Sequence, residues 1–412
     1  MKYHDHHFHP LGYVSMVTGL ELMDATDFDD LGRRIASAAA GTEGVIIGQR
    51  VNDEGLAEKS LPTRQVLDDV VPDRPVLIYR YCGHIGIANS AALKLAQIDS
   101  DTLDPVGGSI DRDRAGNPTG VVRETALSLV SDALSPLTAP ASDTDILEAL
   151  GGLPELGIGS VTGMVSAGEP IWCGIPNELE TLVRLAENLP IDIGAMVIAD
   201  NPAQLVRAAD MIKKAGGRLS FSGWKEFADG SFGGHTAAMY EPFTDRPDTT
   251  GTLRLDRRKA MELAQTSLDL GGAVAIHAIG DRANDEVMDL FEALVQDGTD
   301  PTQLRVEHAS VLTDPTIDHM ARLGVSASVQ PAFLASEHHW LGKRLGKRVD
   351  LVYRFRSLLE AGVTVLGGSD APVEYPDPIV GIDAAVNRRG VNPGESLTRD
   401  QAEALFTPPP TR

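Results

Sequence analysis

Between Gly157 and Asp370, short apolar and β-branched runs of strand length alternate with longer stretches of helical spacing, and this rhythm constrains the fold more than any other feature of the chain. The runs are Ile158 to Thr162, Ile191 to Ile198, Leu219 to Lys225, Ala273 to His277, Leu304 to His308, Val325 to Val329 and Val363 to Leu366. Between them the spacing predicts helices at Asn177 to Glu187, Pro202 to Lys214, Asp256 to Leu270, Ala283 to Val295, Pro315 to Leu323 and Asp350 to Ala361. Seven such units want an eighth strand. Lys2 to His9, although polar, supplies it, and eight is the number at which a parallel sheet closes into a barrel. The expected fold is therefore α/β, a (β/α)8 TIM-type barrel. An open doubly wound sheet is the rival, but the sequence shows neither GxGxxG nor a P-loop.

Residues 11–150 break the rhythm. They hold strand-like pieces at Gly44 to Gly48 and Val76 to Tyr81, and a Gly-rich turn segment from Pro105 to Gly120. They are expected to be an insertion between strands one and two that covers the active-site mouth, leaving 1–10 and 151–412 as the barrel. The 412 residues are 42% hydrophobic and 23% charged, as in ordinary globular proteins, and no run of eighteen apolar residues marks a membrane span. A net charge of -23 repels phosphate backbones and anionic lipid, so neither nucleic acid nor a membrane is an expected partner. Two cysteines, Cys82 and Cys173, exclude a disulfide scaffold. The opening MKYHDHHFHP has no apolar core of the kind a secretory signal needs, and a cytoplasmic location is expected.

Chemistry-bearing side chains fall at the strand ends: His7 and His9 on the first run, Lys225 closing the fourth, His277 the fifth, His308 the sixth, and Asp370 after the eighth. In a barrel those ends surround one mouth. His7 and His9, two apart on a strand, share a face and can bind one cation together. The opposing reading is a solvated tail of His4, His6, His7 and His9. A lone His277 or His308 is more often a satisfied core histidine, and Asp370 could cap a turn before Pro372, but equivalent positions on successive strands favour a common site. Lys225 is the odd member, because an ammonium repels a cation. As a carbamate, formed from its neutral amine and carbon dioxide, it would be an anion with two oxygens; the alternatives are a salt-bridged lysine, or Glu226 as the bridge.

This order of ligand types, with Asp5 before His7-Phe8-His9, resembles the binuclear metal-dependent amidohydrolase superfamily. The segments Lys225-Glu226-Phe227-Ala228-Asp229-Gly230-Ser231, His277-Ala278-Ile279-Gly280-Asp281-Arg282-Ala283, Gly107-Gly108-Ser109-Ile110 and Pro118-Thr119-Gly120 look like the amidohydrolase-3 branch that includes N-substituted formamide deformylases. The resemblance implies two divalent metal ions, usually zinc, bridged by carboxylated Lys225 and a hydroxide, with His7, His9 and Asp370 on one metal and His277 and His308 on the other. It implies hydrolysis of a small-molecule amide or formamide, the metal-bound hydroxide attacking the carbonyl and Asp370 moving the proton to the leaving amine. Relatives also carry a β-sandwich built from segments outside the barrel. With only six residues before His7 and about forty after Asp370, both halves are expected to be missing, and a homo-oligomer is one way to cover the exposed surface.

Around the mouth, His84, Asp229, Trp172 and Arg282 are the expected substrate-binding residues, followed by Arg80, Glu124, His235, Gln330 and Trp340; for each, capping, ion pairing or packing is the competing role. Two other functions stay open. One is a catalytically impaired metal-binding or regulatory barrel. The other is a metal-dependent sugar isomerase, although such sites prefer oxygen-rich ligand sets to four histidines.

Overall fold

The computed structural model of the protein describes residues 2–41, 43–81, 83–105, 108–137, 141–168 and 177–408. Cys82, Cys173, Trp172 and Gly107 lie outside the described residues. Two compact units result: the described residues of Met1–Pro10, Leu150–Glu169 and Asn177–Arg412 form the first, and those of Leu11–Ala149 the second. In chain order the strands are β1 (Tyr3–Phe8), then β2 (Leu20–Glu21), β3 (Ile46–Val51), β4 (Val76–Arg80), β5 (Ile85–Ala88), β6 (Gly108–Arg112) and β7 (Pro118–Glu124) in the second unit. Back in the first are β8 (Ile158–Ser166), β9 (Asp192–Ile198), β10 (Leu219–Phe227), β11 (Ala273–Ala278), β12 (Leu304–His308), β13 (Ser326–Val329) and β14 (Val365–Gly367).

In the first unit β1 and β8 to β14 form one sheet in that order, each adjacent pair parallel. Past β14 the sheet returns to β1. Phe8 bridges Ala371 in parallel, Asp370 N donates to His7 O at 2.8 Å, and His9 N donates to Ala371 O at 2.9 Å. The architecture is a (β/α)8 TIM-type barrel. Apolar residues recur on both faces of its strands because a parallel sheet is covered on both; Val274, Ala275, Ile276 and Val306 are wholly buried.

The polar first strand meets the same demand through hydrogen bonds. His4 places its two ring nitrogens 2.7 Å from Ser160 Oγ and 2.9 Å from Thr162 Oγ1, and His6 Nε2 lies 3.1 Å from Thr407 O. All six residues of β1 are buried, so the histidine-rich start is an internal strand and not a solvated tail. The helices begin where the sequence provides caps. The Asn201, Asp256 and Thr313 side chains accept backbone N–H groups at the starts of Pro202–Ala215, Arg257–Asp269 and Asp314–Leu323.

Two expectations fail. The helix expected over Asp350 to Ala361 is only Phe355–Glu360, preceded by a 3₁₀ turn at Gly346–Leu351. Tertiary contacts override the helical spacing there. Val352 bridges Val311, Tyr353 N donates to Ser310 O, and the buried Tyr353 hydroxyl donates to Glu337 at 2.5 Å. The segment from Pro105 to Gly120 is no simple turn but contains β6 and the start of β7, an antiparallel pair joined across Asp113 and Asn117 and tied by Arg123 to Asp111.

The second unit is a six-stranded mixed sheet, ordered β2-β3-β4-β5-β7-β6. Alternation along β4 separates its two cores: Val76 and Ile78 join Leu31, Ile35 and Ile85, whereas Leu77 and Tyr79 join Leu127 and Val130. No helix among the described residues is long and apolar enough to cross a membrane.

Gly280 shows how tightly the loops above the barrel strands pack. A Cβ there would sit 1.9 Å from the backbone oxygen of Ala238, which cannot yield as a flexible side chain could. Gly280→Ala is expected to cost roughly 1–3 kcal/mol in chemical denaturation. Gly342→Ala, with nothing within 4 Å of the added atom in the short helix Leu341–Leu345, should be neutral or stabilise by about 0.5–1 kcal/mol. Equal midpoints for the two variants would contradict this packing.

Candidate metal centre

The barrel seam assembles the first donors. Because Asp370 N bonds His7 O, the Asp370 carboxylate is brought against the imidazoles of His7 on β1 and of His9 just past its end: Oδ1 lies 3.0 Å from His9 Nε2 and 3.3 Å from His7 Nε2. One ligand atom from each of these three buried residues lies within 4.8 Å of the others. Asp5 holds the seam from below, accepting His7 N and Ser369 N on Oδ1, each at 3.1 Å. Strands β11 and β12 deliver the next two. The His277 and His308 ring centroids are 4.4 Å apart, and His308 lies 4.9 Å from His7. Lys225, buried on β10, has its Nζ 3.5 Å from the centre of the Phe227 ring and donates to Glu226 O at 3.2 Å. The structure thus brings His7, His9, Asp370, His277 and His308 together, and the charge of Lys225 acts on His9 and His308.

Each of three imidazoles has one nitrogen engaged away from the cluster. His7 Nδ1 meets Glu307 Oε2 at 2.5 Å, His308 Nδ1 meets Gln330 Oε1 at 2.7 Å, and His277 Nε2 meets Gly230 O at 2.9 Å. A carboxylate or carbonyl partner requires the hydrogen on that nitrogen, so in the neutral rings the lone pair falls on His7 Nε2, His308 Nε2 and His277 Nδ1. Asp370 Oδ1 is buried without a hydrogen bond. Lone pairs facing a bare carboxylate oxygen repel one another unless a cation lies among them, so this donor set fits divalent metal ions with nitrogen and oxygen ligands.

The electrostatics agree. Burial pushes the Asp370 carboxyl upward, but His7, His9 and His308 outweigh it and hold the group well below its ordinary range. Burial, reinforced by His277, keeps His308 neutral, and burial likewise lowers His9. His7 moves upward: Asp370 and Glu307 favour its charged form more than burial opposes it. Burial brings the Lys225 ammonium down to about 8, against the pull of Glu307 and Asp370. Backbone strain gathers here too. His308, Ala309 and Asp370 have φ of 70°, 44° and 58°, a region non-glycine residues rarely enter, at a cost on the order of 1–3 kcal/mol each.

Other expected site residues have different surroundings. Asp229 is wholly buried, and its carboxylate accepts Ala238 N, Ile279 N and Gly280 N besides lying 3.3 Å from His277 Nε2. It therefore positions the His277 loop, and a buried carboxylate so engaged has little left to offer a substrate, contrary to the role expected for it. His84 Nδ1 pairs with Glu124 at 2.9 Å, and Arg80 with Asp53 at 2.6 Å, both inside the second unit. Arg282 is half-buried at the start of helix Asp281–Gln296. Trp340 is buried under the Arg344 guanidinium. The Glu226 carboxylate turns back onto Phe227 N, so the rival bridge has its oxygens elsewhere. Trp172 lies outside the described residues. Sequence reasoning missed Glu307 and Arg305, which are linked at 2.5 Å. The usable signal was two charges, two residues apart, within a strand that must be buried on both faces.

Comparison with known proteins gives concordant matches. The model of the amidohydrolase family matches residues 4–412. The Bacillus subtilis (strain 168) protein YtcJ is 31% identical over 408 residues, 97% of this chain and 75% of the Bacillus protein. N-substituted formamide deformylase of Arthrobacter pascens is 27% identical over 365 residues, 85% of this chain and 67% of the deformylase. The crystal structure of an uncharacterized metal-dependent hydrolase from Pyrococcus horikoshii OT3 is similar with a TM-score of 0.74 and 30% identity, covering 98% of this chain and 79% of that one.

Glu307 offers a test that needs no substrate. Glu307→Gln keeps the shape but weakens the acceptor on His7 Nδ1, and is expected to lower metal affinity about 10–100-fold in competition with a chelator. Wild-type affinity in that variant would show that the contact does not tune the centre.

Proposed function

This chain belongs to the amidohydrolase family and is a metal-dependent hydrolase, and from that premise we propose that it cleaves the C–N bond of a small amide or formamide with two divalent cations, zinc being the best fit. The observation that carries this reading is the convergence of four imidazoles, a buried carboxylate and a buried lysine at the strand ends of one barrel, with three ring tautomers set by outside partners. Four nitrogen donors favour zinc-like chemistry over the oxygen-rich sets chosen by magnesium.

His7, His9 and Asp370 would hold one cation, and His277 with His308 the other. As a carbamate Lys225 would serve both: its burial disfavours the ammonium, and the neutral amine can add carbon dioxide to become an anion. Cations in this site supply Lewis acidity, polarising a carbonyl and making water acidic enough to act near neutral pH. Asp370 takes a proton from the attacking water as the new C–O bond forms and returns it to the nitrogen as the C–N bond breaks. Its carboxylate, held deprotonated by the surrounding imidazoles, suits the first transfer. The acidic chain, at -23, supports a free small molecule in the cytoplasm as its substrate in place of nucleic acid or a lipid surface.

Asp370→Asn should keep bound zinc, measured by elemental analysis, while amide turnover falls about 10²–10⁴-fold. Full turnover in that variant removes the proton-transfer role. Lys225→Ala should lose metal and recover part of both metal and turnover when acetate or propionate is added. Failure of every short carboxylate to restore metal binding would speak against the carbamate.

A further inference from the structure

The loop after β10 holds another histidine in a built setting. Gly230 O accepts from His277, and Gly230 N donates to Thr236 O at 3.3 Å, so the backbone beside His235 is two hydrogen bonds from an imidazole of the metal centre. His235 Nε2 lies 3.1 Å from Asp245 Oδ1, and the other oxygen of Asp245 is 3.3 Å from Arg344 Nε. Arg344 Nη1 in turn donates to Phe232 O and Gly233 O, both at 2.8 Å, tying the loop down at two points. Phe243 meets the imidazole edge-on with centroids 5.1 Å apart. The residue also sits at φ 59°, an uncommon conformation that only surrounding contacts sustain.

These contacts fix the chemistry of the ring. Asp245 takes the hydrogen of Nε2, so Nδ1 carries a lone pair. Nδ1 has no hydrogen-bond partner among the described residues and is not sealed from solvent. Burial, followed by the Arg344 charge, lowers the imidazolium to about 4 although Asp245 opposes the shift, so the ring is neutral near pH 7. A neutral imidazole whose only donor is satisfied internally can offer the outside an acceptor and nothing else.

We propose that His235 is a specificity-determining contact whose Nδ1 accepts a hydrogen bond from the N–H of the substrate amide, selecting amides that retain an N–H over fully N-substituted ones. Asp245 and Arg344 are positioning residues that fix the tautomer and the loop. The inference rests on the amide-hydrolase reading and deepens it. It concerns which amides are taken, whereas the metal centre concerns how they are cleaved.

The test uses the zinc-loaded full chain and two probes, N-benzylformamide and N-benzyl-N-methylformamide, with kcat/KM followed by amine release. The wild type should favour the N–H substrate by about tenfold or more, the discrimination one hydrogen bond gives. In His235→Ala that ratio should fall toward one with zinc content unchanged. His235→Asn, which tolerates the positive φ and offers a carbonyl acceptor, should retain part of the preference. An unchanged ratio in His235→Ala overturns the proposal and leaves the hydrolase reading intact. A wild type that cleaves neither probe overturns the amide reading, and this selectivity with it.

Discussion

The exchange of backbone hydrogen bonds between His7, His9 and the Asp370–Ala371 segment ties the first strand of the barrel to the chain beyond its last. Without that seam His7, His9 and the carboxylate that faces them would belong to opposite ends of the chain and share no site. Close approach is a condition of the seam. A Cβ on Gly368 would lie 2.6 Å from His7 N and 2.9 Å from Asp5 Oδ1, so the residue must lack one. Asp5 then bonds the backbone on both sides, with His7 on one and Ser369 on the other. This buried carboxyl, pushed up to about 6 by burial, gains backbone partners in exchange for its lost water.

A barrel interior that holds this many polar groups has to balance them locally. Glu307 is wholly buried yet remains ionised: burial opposes its charge, but Arg305, His7 and Lys225 together hold the carboxyl far below its ordinary range. Arg305 and Glu307 share one face of β12, and Glu307 reaches across to His7 on β1, so an ordered line of charge runs beneath the donor cluster. Strain is tolerated on the same grounds. The positive φ angles at His308, Ala309 and Asp370 lie where β12 and the segment after β14 hand over to loops, and each strained residue is a donor or adjoins one.

The fold was legible because a parallel sheet covered on both faces favours apolar and β-branched runs of strand length, and such runs recur seven times between Gly157 and Asp370. The eighth, β1, was legible only through its place in the count, since its histidines satisfy burial by hydrogen bonding and not by hydrophobicity. The six donors could be located because strand ends converge whatever the loops do. Their partners were hidden for the opposite reason. Gly230 O, Gln330 and Glu307 meet the imidazoles through loop conformations and cross-barrel contacts that leave no periodic trace. The same holds for Asp229, whose backbone donors sit nine to fifty-one positions away. In the second unit, the hairpin of β6 and β7 escaped notice because glycines and charges mask the few buried positions, Ile110, Val121 and Val122.

The two halves of the donor set differ in charge, and that difference gives Lys225 a physical reason to be where it is. On one side Asp370 is an anion, and His7 is backed by the anionic Glu307, which strengthens its free nitrogen as a donor. On the other, His277 Nε2 is backed by a backbone carbonyl with the Asp229 carboxylate 3.3 Å away and shared among three backbone N–H groups, His308 is backed by a neutral amide, and the carboxylate grouped with imidazole donors among the described residues is that of Asp370. Two imidazoles alone neutralise none of a dication's charge. An ammonium at Lys225 would worsen the deficit, whereas the proposed carbamate supplies the missing anion from the one side chain that burial already disposes to lose its proton. In the proposed two-cation site, the partners of His277 and His308 and the burial of the lysine bear on one electrostatic requirement.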